Sequence, residues 1–211
     1  SAMKLYYASN SCSLSPHIIA NEAGIALELE KVDIGVRPHR TASGRAFVEI
    51  NPKDYVPALQ LDDGPLLTEG AAIALYLADL APRSGLAPPE GTPERYRLLE
   101  WLTFIGTELH KSYSPWLFHP ELGATAQDAA RAKIASRLAL VERHLAQHAF
   151  LLGEHFSAAD AYAFTVIGWS KFVQIDLSAY PRIEEYQRRI AARPAVREAM
   201  RAQGMALASA A

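Results

Sequence analysis

Hydrophobic positions follow two different periods along the chain, and the change comes near residue 81. Before it the apolar runs are short and alternate or stand between turn residues. Lys4 to Tyr7 predicts a strand. Ser15-Pro16 opens a helix that runs to Ala23, with proline in its first turn and Gly24 at its end. Leu27 to Ile34 alternates Leu27 and Leu29 with Glu28, Glu30 and Lys31, a second strand. Thr41 to Ile50 reads as a helix. Ala58 to Leu61 is a third strand, Asp63-Gly64 a hairpin turn and Leu66-Leu67 a fourth strand. Thr68 then caps a helix from Glu69 to Leu80, with Ala72, Ile73, Tyr76 and Leu77 on one stripe. The order is βαβαββα, an α/β domain over residues 1–81.

Residues 82–92, crowded with Pro82, Gly85, Pro88, Pro89 and Gly91, read as a linker. Beyond them nothing alternates. Pro93 to about Trp116, Ala126 to His148, Ala158 to Phe172, Pro181 to Ala192 and Ala195 to about Gln203 all have helical spacing, so residues 93–211 are expected to form an all-α bundle. Ser1-Ala2 looks like a tag remnant, and the Ala/Ser tail from Ala206 to Ala211 reads as frayed.

Composition narrows the function. The chain has 211 residues, 50% hydrophobic and 21% charged, with a net charge of -2. That balance offers no general field for nucleic acid or an anionic membrane. The longest nearly apolar run, Ala161 to Trp169, is about half the ~18 residues of a membrane span. One cysteine, Cys12, excludes an intrachain disulfide and a cysteine-rich zinc cluster. The expectation is a cytoplasmic protein that binds neither nucleic acid nor membrane.

Three segments carry candidate chemistry. Ser11-Cys12-Ser13-Leu14-Ser15-Pro16 places Cys12 in the loop feeding a helix N-terminus, where unpaired amides and the helix dipole stabilise a thiolate. The competing reading is a small buried apolar residue. Ser13 is either the helix N-cap or a donor to a thiolate. At Val56-Pro57 a cis bond would turn the Val56 amide and carbonyl outward to pair with an extended peptide; an ordinary trans proline opening an edge strand is the favoured alternative. At Leu67-Thr68-Glu69-Gly70 a second helix start offers amides for a carboxylate and Glu69 for an ammonium, or is simply a capped helix.

In this order, with Asn51-Pro52-Lys53, Glu108-Leu109-His110-Lys111 and Phe156-Ser157-Ala158-Ala159-Asp160-Ala161-Tyr162, the segments resemble the cytosolic glutathione transferases, and among them the bacterial beta class. The resemblance runs from Met3 to about Gln203. It implies a thioredoxin-like N-terminal domain that binds glutathione, a helical domain that supplies the pocket for a hydrophobic electrophile, and a homodimer built on Glu69 to Leu80 and Pro93 to Trp116, with Arg95 or Arg97 at the interface. Cys12 matches the cysteine that forms a mixed disulfide with glutathione. Val56 matches the residue that pairs with its cysteinyl unit, with Tyr55 before it and a cis proline at Pro57 after it. Glu69 and Gly70 match the pair that receives the γ-glutamyl end, although many relatives have serine where Gly70 stands. His110 matches a histidine that reaches toward the thiol, as a cationic imidazolium or an N–H donor, with Thr103, Thr107 and Lys111 as weaker candidates.

Other chemistry is set aside. The remaining histidines show no metal-ligand spacing, so no metal is expected. Tyr6 and Tyr7 read as strand residues rather than thiol activators. Of the aromatic set Tyr113, Trp116, Phe118, Trp169 and Phe172, the lining residues of an electrophile pocket are expected to be Tyr113 and Trp169. Ser157 to Asp160 is a capping box with Phe156 as its staple. The activity expected is conjugation of glutathione together with thiol-disulfide exchange through Cys12. The alternatives are a non-catalytic ligandin or interaction protein, and a glutathione-dependent dehalogenase or isomerase.

Overall fold

The computed structural model describes residues 2–207; Ser1 and tail residues 208–211 lie outside the described residues. The chain forms two compact units: the segment up to Leu86 together with the segment from Ala192 onward, and Ala87–Ala191.

The first unit holds a mixed five-stranded sheet in the order β3-β2-β1-β4-β5. Its strands are β1 (Lys4–Tyr7), β2 (Glu28–Asp33), β3 (Arg40–Thr41), β4 (Ala58–Gln60) and β5 (Leu66–Thr68). β1 runs parallel to β2 and antiparallel to β4, with Leu5 opposite Leu29 on one side and Leu59 on the other. Strand alternation sends Tyr6, Val32 and Ala58 to one face, where they form a buried cluster with Ala8, Phe47 and Val56. The helix α1 (Leu14–Ala23) ends at Gly24, whose φ of +73° returns the chain toward β2 at no steric cost. α2 (Gly70–Asp79) buries Ile73, Ala74, Leu77 and Ala78 and packs against α1.

The helix expected over Thr41 to Ile50 does not form. Thr41 enters β3 opposite Val32, its hydroxyl bonds Ser43 Oγ at 3.0 Å and the Arg45 amide at 3.1 Å, and Gly44 takes φ +92°. These local side-chain bonds offer the backbone an alternative to helix, and only Phe47–Glu49 completes a 3₁₀ turn. Thr68 is likewise no helix cap: it lies in β5, and its hydroxyl accepts from Lys53 Nζ at 2.8 Å.

The helical unit contains α3 (Pro93–Phe104), which continues through a π-helical stretch, Ile105–His110, into α4 (Lys111–Tyr113). It also contains α5 (Ala124–Leu145), α6 (Ala158–Ile167) and α7 (Pro181–Ala191). α5 buries Ala130, Ile134, Leu138, Val141 and Leu145, one stripe at helical spacing. α6 is buried along its whole length, and α5 and α7 pack together. The sequence places the final helix, α8 (Pro194–Ala202), in this bundle. Instead α8 packs on α1 and belongs to the first unit, so the helical unit ends at Ala191. Its buried face is Val196, Ala199 and Met200, and Arg193 beside it grips Glu22 of α1 at 2.6 Å.

Candidate active site

Cys12 sits in the turn between β1 and α1, partly exposed and outside any disulfide. Its Sγ lies 3.4 Å from the Val56 carbonyl oxygen. The Val56-Pro57 bond is cis, as the resemblance implies and against the favoured reading of the residues alone. The loop under Cys12 is tied by hydroxyls. Ser13 Oγ bonds both the amide and the carbonyl of Ala8 at 3.0 Å, and Ser11 Oγ donates to the same carbonyl at 2.7 Å.

Two expectations change here. Ser13 is fully buried and its hydroxyl faces Ala8, while its amide donates to Ser11 Oγ at 3.2 Å. It therefore neither caps α1 nor presents a donor to a thiolate; it fixes the loop. The first amides of α1 are not unpaired either. Leu14 and Ser15 donate back to the Ser11 and Cys12 carbonyls at 3.3 and 3.2 Å, and Pro16 has no N–H. What remains at Cys12 from the helix is its dipole.

Glu69 precedes α2 with φ +77°, a strained conformation for a residue with a side chain. Its carboxylate receives Lys53 Nζ at 2.8 Å and Tyr55 OH at 2.5 Å. The Lys53 ammonium, then the Tyr55 hydroxyl, hold the Glu69 carboxyl below its ordinary range; the same bond to Glu69 raises the Tyr55 phenol. No side chain caps α2. A Cβ placed on Gly70 would meet Pro57 Cγ at 3.9 Å, ordinary contact, which places the start of α2 against the cis-proline loop. Cys12, Tyr55-Val56-Pro57 and Glu69-Gly70 thus come together within one unit. Lys53, part of the Asn51-Pro52-Lys53 segment of the resemblance, is a member of this group to which the sequence assigned no role.

In the helical unit His110 ends the π-helical stretch, a distortion that recurs at functional sites. Its Nδ1 lies 2.6 Å from Tyr162 OH, and its ring packs 5.1 Å from that of Trp169. Burial, then the nearby Lys111 charge, pushes the imidazole down to about 4. At neutral pH it is uncharged, which corrects the expectation of an imidazolium and leaves a hydrogen-bonding role. Tyr162, which orients the ring, was read from the sequence only as part of the capping segment.

The expected pocket lining needs revision. Tyr113 is 0% exposed, its hydroxyl bonds Ser170 Oγ at 2.7 Å, and burial raises the phenol to about 12. It belongs to the core and lines nothing. Trp169 is 6% exposed, with Phe118 edge-on at 5.9 Å; Trp116, Phe118 and Phe172 are the exposed members of the aromatic set. Thr103, Thr107 and Lys111 are exposed, and the Thr107 hydroxyl donates to the Thr103 carbonyl at 2.8 Å. Arg95 donates to the Pro88 carbonyl at 3.2 Å and Arg97 to Glu100 at 3.0 Å. Among the described residues no group of three or more His, Cys, Asp or Glu is arranged to hold a metal, and no helix is long and apolar enough to cross a membrane.

Comparison with known proteins gives a consistent picture. Residues 11–80 match the family model of the glutathione S-transferase N-terminal domain, and residues 99–194 that of the C-terminal domain. The chain is 40% identical over 203 residues to the glutathione S-transferase GstA of Escherichia coli O157:H7, covering 96% of this chain and 100% of that one. A sphingomonad glutathione S-transferase solved in complex with glutathione is similar with a TM-score of 0.91 and 45% identity, over 96% of this chain and 100% of that one. The beta-class enzyme of Sphingomonas chungbukensis is similar with a TM-score of 0.91, 43% identity and the same coverage.

Proposed function

The chain belongs to the glutathione S-transferase family, and from that premise we propose that it is a beta-class enzyme that uses Cys12 for thiol-disulfide exchange beside the conjugation of glutathione to hydrophobic electrophiles. Glutathione is the co-substrate. The observation that carries the reading is the thiol of Cys12 at 3.4 Å from the Val56 carbonyl, in the same unit as an exposed carboxylate at the uncapped start of α2. In this reading the γ-glutamyl ammonium goes to Glu69, its carboxylate to the amides at Gly70, and the cysteinyl unit pairs with Val56.

The exchange has two steps. The Cys12 thiolate attacks the glutathione sulfur of a mixed disulfide, forming the Cys12-glutathione disulfide and releasing the other sulfur as thiolate. A second glutathione thiolate then attacks the glutathione sulfur of that disulfide, giving glutathione disulfide and restoring the Cys12 thiolate. In the helical unit His110 is a neutral hydrogen-bonding group. The electrophile pocket belongs to the helical unit, with Trp169 as its inner aromatic group. The same reading makes the protein a cytoplasmic homodimer, and a monomeric mass in sedimentation would remove that part.

Calorimetric titration of glutathione at neutral pH is expected to show one saturable site per chain, and no binding at several millimolar would overturn the reading. Cys12→Ala is expected to abolish disulfide reduction and to keep most conjugation of an aryl halide. Equal loss of both activities would refute the assignment of exchange to Cys12.

A further inference from the structure

Gln203 follows the last residue of α8, within the same compact unit as Cys12. It touches the Cys12 segment on both sides. Its main-chain carbonyl accepts from Ser9 Oγ, just before Cys12 in the chain, and its side-chain Nε2 lies 3.0 Å from His17 Nδ1 in α1, just after it. Ser11 and Ser13 close the loop from within, through Ala8; Ser9 reaches outside it, to Gln203.

The chemistry of Gln203 argues for a geometric role. It is 2% exposed, and its Oε1 has no partner among the described residues. A buried amide oxygen without a donor opposes folding, so an apolar side chain of similar size would pack there with less penalty. The glutamine keeps one bonded end at the expense of the other. His17, its partner, is buried and, desolvated, is pushed down to about 4, so at neutral pH the ring is uncharged and one of its nitrogens is able to accept. α8 is also anchored at its other end, where Arg193 grips Glu22 near the end of α1 farthest from Cys12. That second anchor allows the two functions, docking α8 and fixing the loop, to be separated.

We propose that Gln203 is a positioning residue that fixes the loop carrying Cys12, holding it through Ser9 on one side and His17 on the other. The proposal rests on the reading of Cys12 as the reacting thiol, and it assigns a role in that chemistry to the C-terminal end of the chain.

The test is alkylation of Cys12, the sole cysteine, by iodoacetamide in the full chain as a function of pH. The pH midpoint of the wild type tests Cys12 itself: a reactive thiol titrates below the ordinary value of about 8.5. The limiting rate at high pH, where every thiol is ionised, reads access to Cys12 and tests Gln203 whatever that midpoint is. Gln203→Met and Ser9→Ala are each expected to raise the limiting rate about fivefold or more by loosening the loop, with the double variant no faster than the stronger single one. Arg193→Ala, which weakens α8 docking away from the loop, is expected to stay within about twofold of wild type. Unchanged limiting rates in Gln203→Met and Ser9→Ala, or an equal rise in Arg193→Ala, would overturn the proposal. Should Gln203→Met fail to fold, Ser9→Ala, which removes one hydroxyl, decides by the same criterion.

Discussion

Two helices of this chain start beside a carboxylate and use it in opposite ways. At α6, Asp160 is fully buried and receives the Leu151 amide at 2.9 Å, the Ser157 amide at 2.8 Å, the Ser157 hydroxyl at 3.1 Å and the Tyr186 hydroxyl at 2.6 Å. Burial pushes its carboxyl up, and these donors pull against that. At α2, the Glu69 side chain is 53% exposed, sits on a strained backbone and is met by the exposed ends of Lys53 and Tyr55. A carboxylate held by buried groups, two of them main-chain amides, cannot change partners without opening the fold. One held by exposed side chains can exchange them for a ligand at little cost, since exposed ion pairs contribute only about 0–1 kcal/mol. The first arrangement is structural, and the second fits a binding site.

The strongest way to break this contrast is to remove each carboxylate. Asp160→Ala takes the acceptor from two buried amides and two buried hydroxyls, and is expected to lower stability by about 4 kcal/mol or more in chemical denaturation. Retention of wild-type stability would show that the bonds around Asp160 are incidental. Acid extends the contrast to the inward histidines. His17 and His110 are held by burial down to about 4, against an ordinary value near 6.5, so in that window the unfolded chain binds protons that the folded chain refuses. Stability is therefore full above pH 6.5 and falls as pH drops toward 4, by on the order of 3 kcal/mol for each histidine. A denaturation series across that range that stays flat would contradict the burial of both rings.

Glu69→Gln tests the other side. It is expected to leave the unfolding midpoint nearly unchanged while raising the glutathione KM about tenfold, through loss of a charged partner for an ammonium. A large fall in stability with an unchanged KM would make Glu69 a second Asp160. Ser157→Ala, at the closed helix start, should reduce stability by about 1 kcal/mol and leave glutathione binding alone. The smallest effect is expected from Gly70→Ser. A Cβ fits there against Pro57 Cγ at 3.9 Å, and the added hydroxyl should tighten glutathione by about threefold in calorimetry.

Much of this was legible in the order of residues. β1, β2, β4, β5, α1, α2 and the helices of the second half are set by period, proline and glycine placement, which act over a few residues. The same holds for the capping box at Ser157, whose partners lie within one turn. The helix expected at Thr41 failed because period and propensity read neither the local bonds of the Thr41 hydroxyl nor Glu30, whose carboxylate draws the Ser43 amide and hydroxyl across from β2 at 3.2 and 2.6 Å. Cys12, Val56 and Glu69 could be named from the sequence only as separate motifs joined by a resemblance.

What the sequence by itself determined, then, is local: where the chain turns, which stripes are apolar, and that a lone cysteine precedes a helix. Three matters were decided only by the tertiary structure. Ser13 and Tyr113 were turned inward, because each hydroxyl found a partner, Ala8 or Ser170, in the packed fold. His110 lost its charge, because desolvation depends on what surrounds a ring and not on its neighbours in sequence. And α8 joined α1 instead of the helical bundle, because an amphipathic face specifies that it must be covered but not by what; in the fold the Arg193 bond to Glu22 and the Gln203 bonds to Ser9 and His17 accompany that docking.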